Sequence, residues 1–311
     1  MSEFKRVYIL GAGAIGLTLA VHLVRQGRQV TAVRTSVADQ PLEEIEITLQ
    51  RDEGQRIMAS IEMVSLSQMI QMDGIIVVAA KSYANQNIAM KLKSIIGSSP
   101  IVILQNGLGV EQAFIDLLYS NIFRCILYTT SQKIKDDHYV FSSIAESPIG
   151  VISGDSHALN NVVTTLNTEE FPFCSHVNIQ KEIWKKAIIN SAFNSICPLI
   201  EVDNGVFYRD RQSAELAKEI VYECIQVTDR LKLGLDENAI MEQIVSISKG
   251  SDGQLISTLQ DIMNGRETEI EFLNLAISRI AERLTPPVPV SKTKLLGKMV
   301  LLKSTLNKKS I

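Results

Sequence analysis

The chain opens with short apolar runs that are separated by glycines and an amphipathic stretch. The apolar run Val7–Leu10 ends at glycine, which is typical of a buried parallel strand. Residues Ala14–Arg25 then predict a helix that ends at Gly27, and Gln29–Val33 predict a second strand. Together these segments form one βαβ unit.

Apolar and polar positions then alternate on both sides of a turn at residues 51–54. This pattern, over Glu44–Gln50 and Ile57–Val64, predicts a hairpin inserted after the second strand. The remaining pattern of this half predicts a buried strand at Gly74–Ala80, a helix at Asn85–Ile96, a buried strand at Pro100–Leu104, several partly antiparallel strands within Arg124–Ser153, a helix at Ala158–Leu166 and a last strand at Phe171–Val177.

After about residue 178, strand-like runs give way to helical periodicity. A chain of 311 residues is long enough for two domains. We therefore expect an α/β domain over residues 1–175 and an all-α domain over residues 176–311. The predicted helices of the second domain are Glu182–Ile196, Ser213–Leu233, Glu237–Ser246, Thr268–Leu284 and Lys292–Leu306.

Composition and charge exclude several classes of protein. Hydrophobic residues make up 46% and charged residues 21%, which is an ordinary globular balance. The net charge of -3 provides no global basic field, so we expect neither a nucleic acid nor a membrane partner. Residues 1–6 contain no apolar signal core, and no apolar run approaches the ~20 residues that span a bilayer. These absences lead us to expect a cytoplasmic protein.

The cysteines and histidines show no ligand spacing. No pair of cysteines forms a CxxC motif, and the four histidines do not cluster. We therefore expect no metal site, and we expect buried, reduced thiols at Cys125, Cys174, Cys197 and Cys224.

A glycine pattern of the form GxGxxG lies between the first predicted strand and the first helix. Its first glycine, Gly11, would permit a tight turn, Gly13 would let the backbone approach a pyrophosphate, and Gly16 would let the helix pack close to the sheet. The helix N-terminus would attract the phosphates. A strand–helix turn without a ligand is the alternative interpretation. The six positions are Gly11, Ala12, Gly13, Ala14, Ile15 and Gly16.

The end of the second strand bears on the choice of nicotinamide cofactor. NAD sites usually carry a carboxylate there, about 20 residues after the first glycine, but this chain has Arg34 followed by Thr35 and Ser36. A guanidinium can grip two oxygens of a 2′-phosphate. Arg34 therefore favours NADPH.

A polar stripe runs along the first helix of the second half. Lys186, Asn190 and Asn194 are four residues apart, so they lie nearly on one face among apolar neighbours. Such a stripe either lines a cavity or is the solvent side of an amphipathic helix. In a carbonyl reductase, an ammonium could protonate the developing alkoxide, and amides could position the substrate.

A second polar cluster lies downstream, at Ser257 and Glu269. Glu269 follows Thr268 at the start of a predicted long helix, where it could complement the helix dipole, accept a hydrogen bond from a substrate hydroxyl or orient a lysine. Ser257 could be an ordinary helix cap.

With these clusters, the sequence resembles the 2-dehydropantoate 2-reductase (ketopantoate reductase) family from end to end. The resemblance rests on two spaced patterns, W-x-K-x3-N-x3-N beginning at Trp184 and S-x3-D-x4-R-x-T-E-I beginning at Ser257. It also includes the glycine turn, Arg34, Lys81 after the GIIVVAA strand, Asn106-Gly107-Leu108-Gly109 after PIVIL, and Asn204-Gly205.

The resemblance implies a Rossmann domain, a helical domain of the 6-phosphogluconate-dehydrogenase C-terminal type, and an active site in the cleft between them. It implies reduction of 2-dehydropantoate to pantoate by NADPH, for pantothenate and coenzyme A biosynthesis. The implied roles are a general acid at Lys186, a partner of the new hydroxyl at Glu269, a carboxylate ligand at Ser257, substrate contacts at Asn190, Asn194 and Asn204, the nicotinamide–substrate junction at Lys81 and Asn106, and the 2′-phosphate at Arg34.

One position departs from the family pattern. Three residues before Ser257, where the family often has a substrate-binding Asn, the chain has Gln254. A paralogue that reduces another small 2-oxo acid therefore stays open, and so does an NADPH sensor without turnover, although a sensor would not need Lys186 and Glu269. The helical half is rich in apolar helix faces, which favours a homodimer formed through it.

Overall fold

A computed structural model describes residues 6–51 and 54–308 and divides the chain into two compact units. Within the described residues, unit 1 comprises 6–105 and 110–179, and unit 2 comprises 106–109 and 180–308. The sequence-based boundary lies at residues 175 and 176, four residues before this division. Residues 1–5, and residues 52 and 53 of the predicted hairpin turn, lie outside the described residues.

The strands belong to one mixed sheet in unit 1. Six of them, β4, β2, β1, β5, β6 and β7, lie side by side and parallel, with the sheet order β11-β10-β7-β6-β5-β1-β2-β4-β3-β9-β8. The strands are β1 Arg6–Leu10, β2 Gln29–Arg34, β3 Glu43–Arg51, β4 Arg56–Ser65, β5 Ile75–Val78, β6 Ile101–Ile103, β7 Ile122–Cys125, β8 Thr129–Lys135, β9 His138–Ser143, β10 Ser147–Ser153 and β11 Phe173–Ser175.

The parallel strands follow the order of a dinucleotide-binding sheet. If the hairpin strand β3 is left out, they run 3-2-1-4-5-6 in chain order, with the reversal between β1 and β5. The predicted hairpin is the antiparallel pair of β3 and β4, and β10 pairs antiparallel with β7. The prediction of a Rossmann-type α/β fold is confirmed.

Four α-helices are described in unit 1, and the others, from α5 onward, build unit 2. The described residues of unit 2 contain helices and no strand, so the prediction of an all-α second half is confirmed. The helices are α1 Ala14–Arg25, α2 Asn85–Leu92, α3 Gln112–Asp116, α4 Ser156–Leu166, α5 Ile179–Ile200, α6 Val206–Arg209, α7 Arg211–Arg230, α8 Glu237–Gly250, α9 Ser257–Met263, α10 Asn274–Arg283 and α11 Ser291–Lys308.

The prediction of one long helix from Thr268 to Leu284 is wrong. A short 3-10 helix occupies Ile270–Phe272, and α10 begins only at Asn274. The interruption lies at Leu273, whose φ of -112° and ψ of -108° are not helical. Glu269 therefore precedes a 3-10 turn and does not lie in the first turn of an α-helix.

The thiols differ from the expectation at one position. Cys125, Cys197 and Cys224 are buried, whereas Cys174 is only half-buried, and none of the four forms a disulfide. Burial raises the pKa of Cys197 and of Cys224 to about 12, so both thiols stay protonated at neutral pH. In the part of the chain that the structure describes, no helix is long and apolar enough to cross a membrane, and no group of His, Cys, Asp and Glu side chains could hold a metal.

A buried histidine lies on the core-facing side of α1. His22 packs edge-on against Phe141, with 4.8 Å between the ring centroids. Burial first, and then the positive charges of Arg51 and Arg25, lower its pKa from 6.5 to about 4. His22 is therefore a neutral core residue at physiological pH.

This lowered pKa makes the stability of the protein sensitive to acid. Because the unfolded chain takes up a proton at His22 below pH 6.5 and the folded chain does so only near pH 4, stability is lost as the pH falls between these values. We expect His22→Gln to reduce the loss of unfolding free energy over this range by about 3 kcal/mol. Urea unfolding at a series of pH values measures this loss of unfolding free energy. The exposed His157→Gln is the control, and an equal change in both variants contradicts the prediction.

Candidate active site

The glycine turn after β1 lies against the end of β5, at the point where the strand order reverses. Gly11 has a φ of +113°, and a Cβ atom added there would lie 2.4 Å from the backbone nitrogen of Ala80. The Gly11 amide donates a hydrogen bond to the Val33 carbonyl at 2.9 Å, and Ala79 donates to the Leu10 carbonyl at 2.8 Å. Only glycine fits this junction of three strand ends.

The other two glycines lie at the start of helix α1, where Gly16 allows close packing and Gly13 leaves room for a ligand. A Cβ atom on Gly16 would lie 2.1 Å from the Gly11 carbonyl oxygen, so the helix passes close to the turn. At Gly13, by contrast, an added Cβ would meet no atom within 4 Å, and the residue is exposed at the N-cap of α1. The open backbone over a helix N-terminus fits a pyrophosphate group. The intervening Ala12, Ala14 and Ile15 pack partly against the core.

Arg34 stands at the end of β2, one residue beyond the pair formed by Leu10 and Val33. Its Nη1 donates to Oε1 of Glu43 at 3.0 Å. Gln40 Nε2 donates to the same oxygen at 2.6 Å. The sequence pattern did not indicate Glu43 as a neighbour of Arg34, because the pairing depends on β3 folding back beside β4.

Two buried amides tie together the ends of β5 and β6. Gln105 Nε2 donates to the Ala80 carbonyl at 2.6 Å and to Asn85 Oδ1 at 2.8 Å. Asn85 Nδ2 donates in return to Gln105 Oε1 at 2.7 Å, and both side chains are buried. Lys81 and Asn106, the two residues assigned to the nicotinamide–substrate junction, each directly follow a member of this network.

A buried ion pair supports the segment that follows β6. The Arg124 side chain is fully buried, pairs with Glu111, and donates from Nη2 to the Gln105 carbonyl at 3.2 Å. Sequence reasoning missed Asn85, Gln105, Arg124 and Glu111. A signal was present in Arg124, a charged residue inside an apolar strand segment, because such a charge is rarely buried without a partner.

The loop that carries Asn106 lies against the 3-10 helix that follows Glu269. Gly107 has a φ of +98°, and a Cβ atom there would lie 2.4 Å from the Phe272 carbonyl oxygen. The Leu108 amide donates to that same oxygen at 2.7 Å. Within unit 2, the structure therefore brings the Asn106 segment and the Glu269 segment together.

The polar stripe of α5 does not lie on an exposed face. Lys186 and Asn190 are half-buried, and Asn194 is 3% exposed. Asn194 Nδ2 donates to the Asn190 carbonyl at 3.0 Å, and its Oδ1 accepts from Thr258 Oγ1 at 2.7 Å and from Ser257 Oγ at 3.5 Å. Asn194 thus cross-links α5 to the start of α9.

Ser257 is the first residue of α9 and is exposed. The N-cap position belongs to Ile256, so the helix-cap interpretation of Ser257 is wrong. Its hydroxyl is held at the helix N-terminus beside Asn194, where an anionic group is favoured.

Asn204 is a buried residue with an unused acceptor. Its backbone amide donates to the Gln254 carbonyl at 2.8 Å, and its carbonyl accepts from Ser248 Oγ at 2.7 Å. Its side-chain Oδ1 is buried and has no hydrogen-bond partner among the described residues. A buried acceptor of this kind suits a donor group on a ligand. The Gln254 side chain itself is exposed.

The downstream motif is held by an internal ion pair. Asp261 is buried, and Arg266 donates to it twice, from Nε to Oδ1 and from the backbone amide to the carbonyl, both at 2.8 Å. This closes the turn between α9 and the segment Thr268–Glu269. The half-buried Glu269 is therefore presented by a braced turn.

The amide pair at the ends of β5 and β6 can be tested by stability. Asn85→Ala leaves the buried Oε1 of Gln105 without its donor, so we expect the free energy of unfolding to fall by about 1–3 kcal/mol. Denaturant unfolding at neutral pH measures the difference. Gln86→Ala, at the exposed next position of α2, is the matched control. Equal stability of the two variants contradicts the assigned role of the pair.

Solved structures of other proteins have the same fold as this chain. A ketopantoate reductase of the PanE/ApbA family from Ralstonia eutropha JMP134 superposes with a TM-score of 0.82 at 21% identity. D-mandelate dehydrogenase, solved as a ternary structure with NADH and anilino(oxo)acetate, superposes with a TM-score of 0.83 at 21% identity. Each comparison covers 97% of this chain and 99% of the other.

Sequence comparison covers both units. The 2-dehydropantoate 2-reductase of Archaeoglobus fulgidus is 27% identical over 303 residues, which is 93% of this chain and 95% of the relative. Residues 7–154 match the family described as ketopantoate reductase PanE/ApbA, and residues 178–295 match the C-terminal part of that family. The chain belongs to the ketopantoate reductase PanE/ApbA family.

Proposed function

We propose that this protein reduces 2-dehydropantoate to pantoate with NADPH, in the biosynthesis of pantothenate and coenzyme A. Family membership and the name of the Archaeoglobus fulgidus relative support the reaction. The observation that carries the proposal is the side-chain link from Asn194 to Ser257 and Thr258. It gathers the polar stripe of α5 and the start of α9 into one polar cluster.

Most of the residues that would hold the cofactor belong to unit 1, and Asn106 belongs to unit 2. The open backbone at Gly13 and the N-terminus of α1 suit the pyrophosphate, and Arg34 suits the 2′-phosphate. When bound, the nicotinamide cofactor supplies the hydride that reduces the ketone. Lys81 and Asn106 follow the amide network at the ends of β5 and β6, and the proposal assigns them to the nicotinamide end.

Lys186 is the proposed general acid. As the substrate carbonyl carbon gains a hydride, its oxygen becomes an alkoxide, and Nζ of Lys186 donates a proton to that oxygen. The product is a 2-hydroxy acid. Glu269 accepts a hydrogen bond from the new hydroxyl and helps to place Lys186.

The other polar side chains of unit 2 orient the substrate. When substrate binds, the Ser257 hydroxyl turns its proton from Asn194 Oδ1, 3.5 Å away, to the substrate carboxylate at the N-terminus of α9. Asn190 contacts the substrate. The unused Oδ1 of Asn204 accepts from a substrate hydroxyl. Asn194 is a positioning residue, because its amide already bonds to α5 and α9. The proposal thus assigns roles in the reaction to residues of both units.

The proton donor can be tested by a matched pair of substitutions. We expect Lys186→Ala to lower kcat by about 100-fold to 10,000-fold, because the alkoxide loses its acid. The fall in absorbance of NADPH after addition of 2-dehydropantoate measures the rate, and calorimetric titration with NADPH checks that the variant still binds coenzyme. Lys185→Ala, at the adjacent half-buried position, is the control. A Lys186→Ala enzyme with normal kcat refutes the assignment.

The substrate assignment has a second candidate, a different small 2-oxo acid. It is favoured by the exposed Gln254 where the family often has a substrate-binding Asn. We expect the highest kcat/KM with 2-dehydropantoate in a panel that also contains pyruvate, 2-oxoisovalerate and phenylglyoxylate. A clear preference for another member of the panel overturns the substrate but leaves the proton donor in place. Gln254→Asn, tested on the same panel, shows whether this position sets the preference.

A further inference from the structure

We infer that Glu43 is a cofactor-specificity residue, which competes with the 2′-phosphate of NADPH for the guanidinium of Arg34. The inference rests on the proposed function, in which Arg34 binds that phosphate. It adds a second residue to the cofactor choice, one that counteracts the preference for NADPH.

The two side chains meet across strand β4. In the sheet register, Arg34 at the end of β2 lies opposite Ser65 of β4, and Glu43 at the start of β3 lies opposite Met63 of the same strand. Arg34 Nη1 and Glu43 Oε1 are 3.0 Å apart. The side chains are 24% and 40% exposed, so a ligand can reach the pair.

Glu43 is held in place from the other side. Gln40 Nε2 donates to Glu43 Oε1 at 2.6 Å. The backbone of Gln40 is fixed in turn by Ser65, whose hydroxyl accepts from the Gln40 amide at 3.0 Å and whose backbone amide donates to the Gln40 carbonyl at 3.1 Å. The carboxylate is therefore preorganised beside Arg34.

This arrangement affects the two coenzymes differently. A 2′-phosphate carries close to two negative charges, so it is attracted by Arg34 and repelled by Glu43. Binding of NADPH must also divide the guanidinium between two anions. NADH has a neutral ribose hydroxyl at this position, so it leaves the ion pair intact. Glu43 therefore weakens the binding of NADPH and leaves the binding of NADH unchanged.

The experiment is a calorimetric titration of the whole protein with NADPH and with NADH. Glu43→Gln keeps the length and hydrogen-bonding capacity of the side chain but removes its charge. We expect the Kd for NADPH to fall by about twofold to fivefold, as for a partly exposed ion pair, and the Kd for NADH to stay unchanged. The gain should shrink at high salt, because exposed charges are screened.

Two further variants complete the test. Glu44→Gln removes the same charge from the next residue of β3, whose side chain points to the opposite face of the sheet, and should leave both Kd values unchanged. Arg34→Gln should raise the Kd for NADPH and not that for NADH. If Arg34→Gln behaves so but Glu43→Gln leaves NADPH binding unchanged, or shifts both coenzymes equally, the role of Glu43 is refuted. If Arg34→Gln does not weaken NADPH, the proposed function of Arg34 itself fails.

Discussion

The close contact between Gly11 and the end of β5 is the constraint on which the arrangement of unit 1 depends. With a φ of +113° and only 2.4 Å between a hypothetical Cβ and the Ala80 nitrogen, the turn after β1 is pressed against the neighbouring strand end. An alanine here would meet both backbone strain and a clash with immobile backbone atoms. Gly13, two residues later, faces open space, so this short turn combines one closely packed glycine with one whose backbone is accessible.

Hydrogen bonds of buried polar side chains also fix the positions of loops and strand ends in both units. The Asn85–Gln105 amide pair ties two strand ends together, and Arg124 braces the loop that follows. In unit 2, Asn194 and the Asp261–Arg266 pair do the same for α9 and for the turn before Glu269. Each of these groups would be costly to bury without its partner. The cost makes each arrangement specific, because an alternative loop position leaves a buried polar group unsatisfied.

The elements that follow from local sequence pattern could be predicted, and those that depend on distant contacts could not. Helix α1 begins and ends at the predicted residues, because glycines and apolar periodicity define it locally. The break at Leu273 was missed, because the Phe272 carbonyl bonds to Leu108, more than 160 residues away in the chain. In the candidate site, the spacing of Lys186, Asn190 and Asn194 predicted a common face. The hydrogen bond between Thr258 and Asn194 could not be predicted, because it depends on the packing of α5 against α9.

The same distinction applies to the electrostatics of the cofactor site. Taken in the linear sequence, Arg34 is a single cation at the position where many related sites carry a carboxylate. In the folded sheet it faces Glu43 and, through that carboxylate, the amide of Gln40. The potential that a phosphate meets is the sum over these groups, and the pair carries no net charge. Coenzyme preference is a difference between two binding free energies. The positive charge of Arg34 alone therefore does not determine which coenzyme is preferred. The preference also depends on the charges of the residues that the fold places beside it.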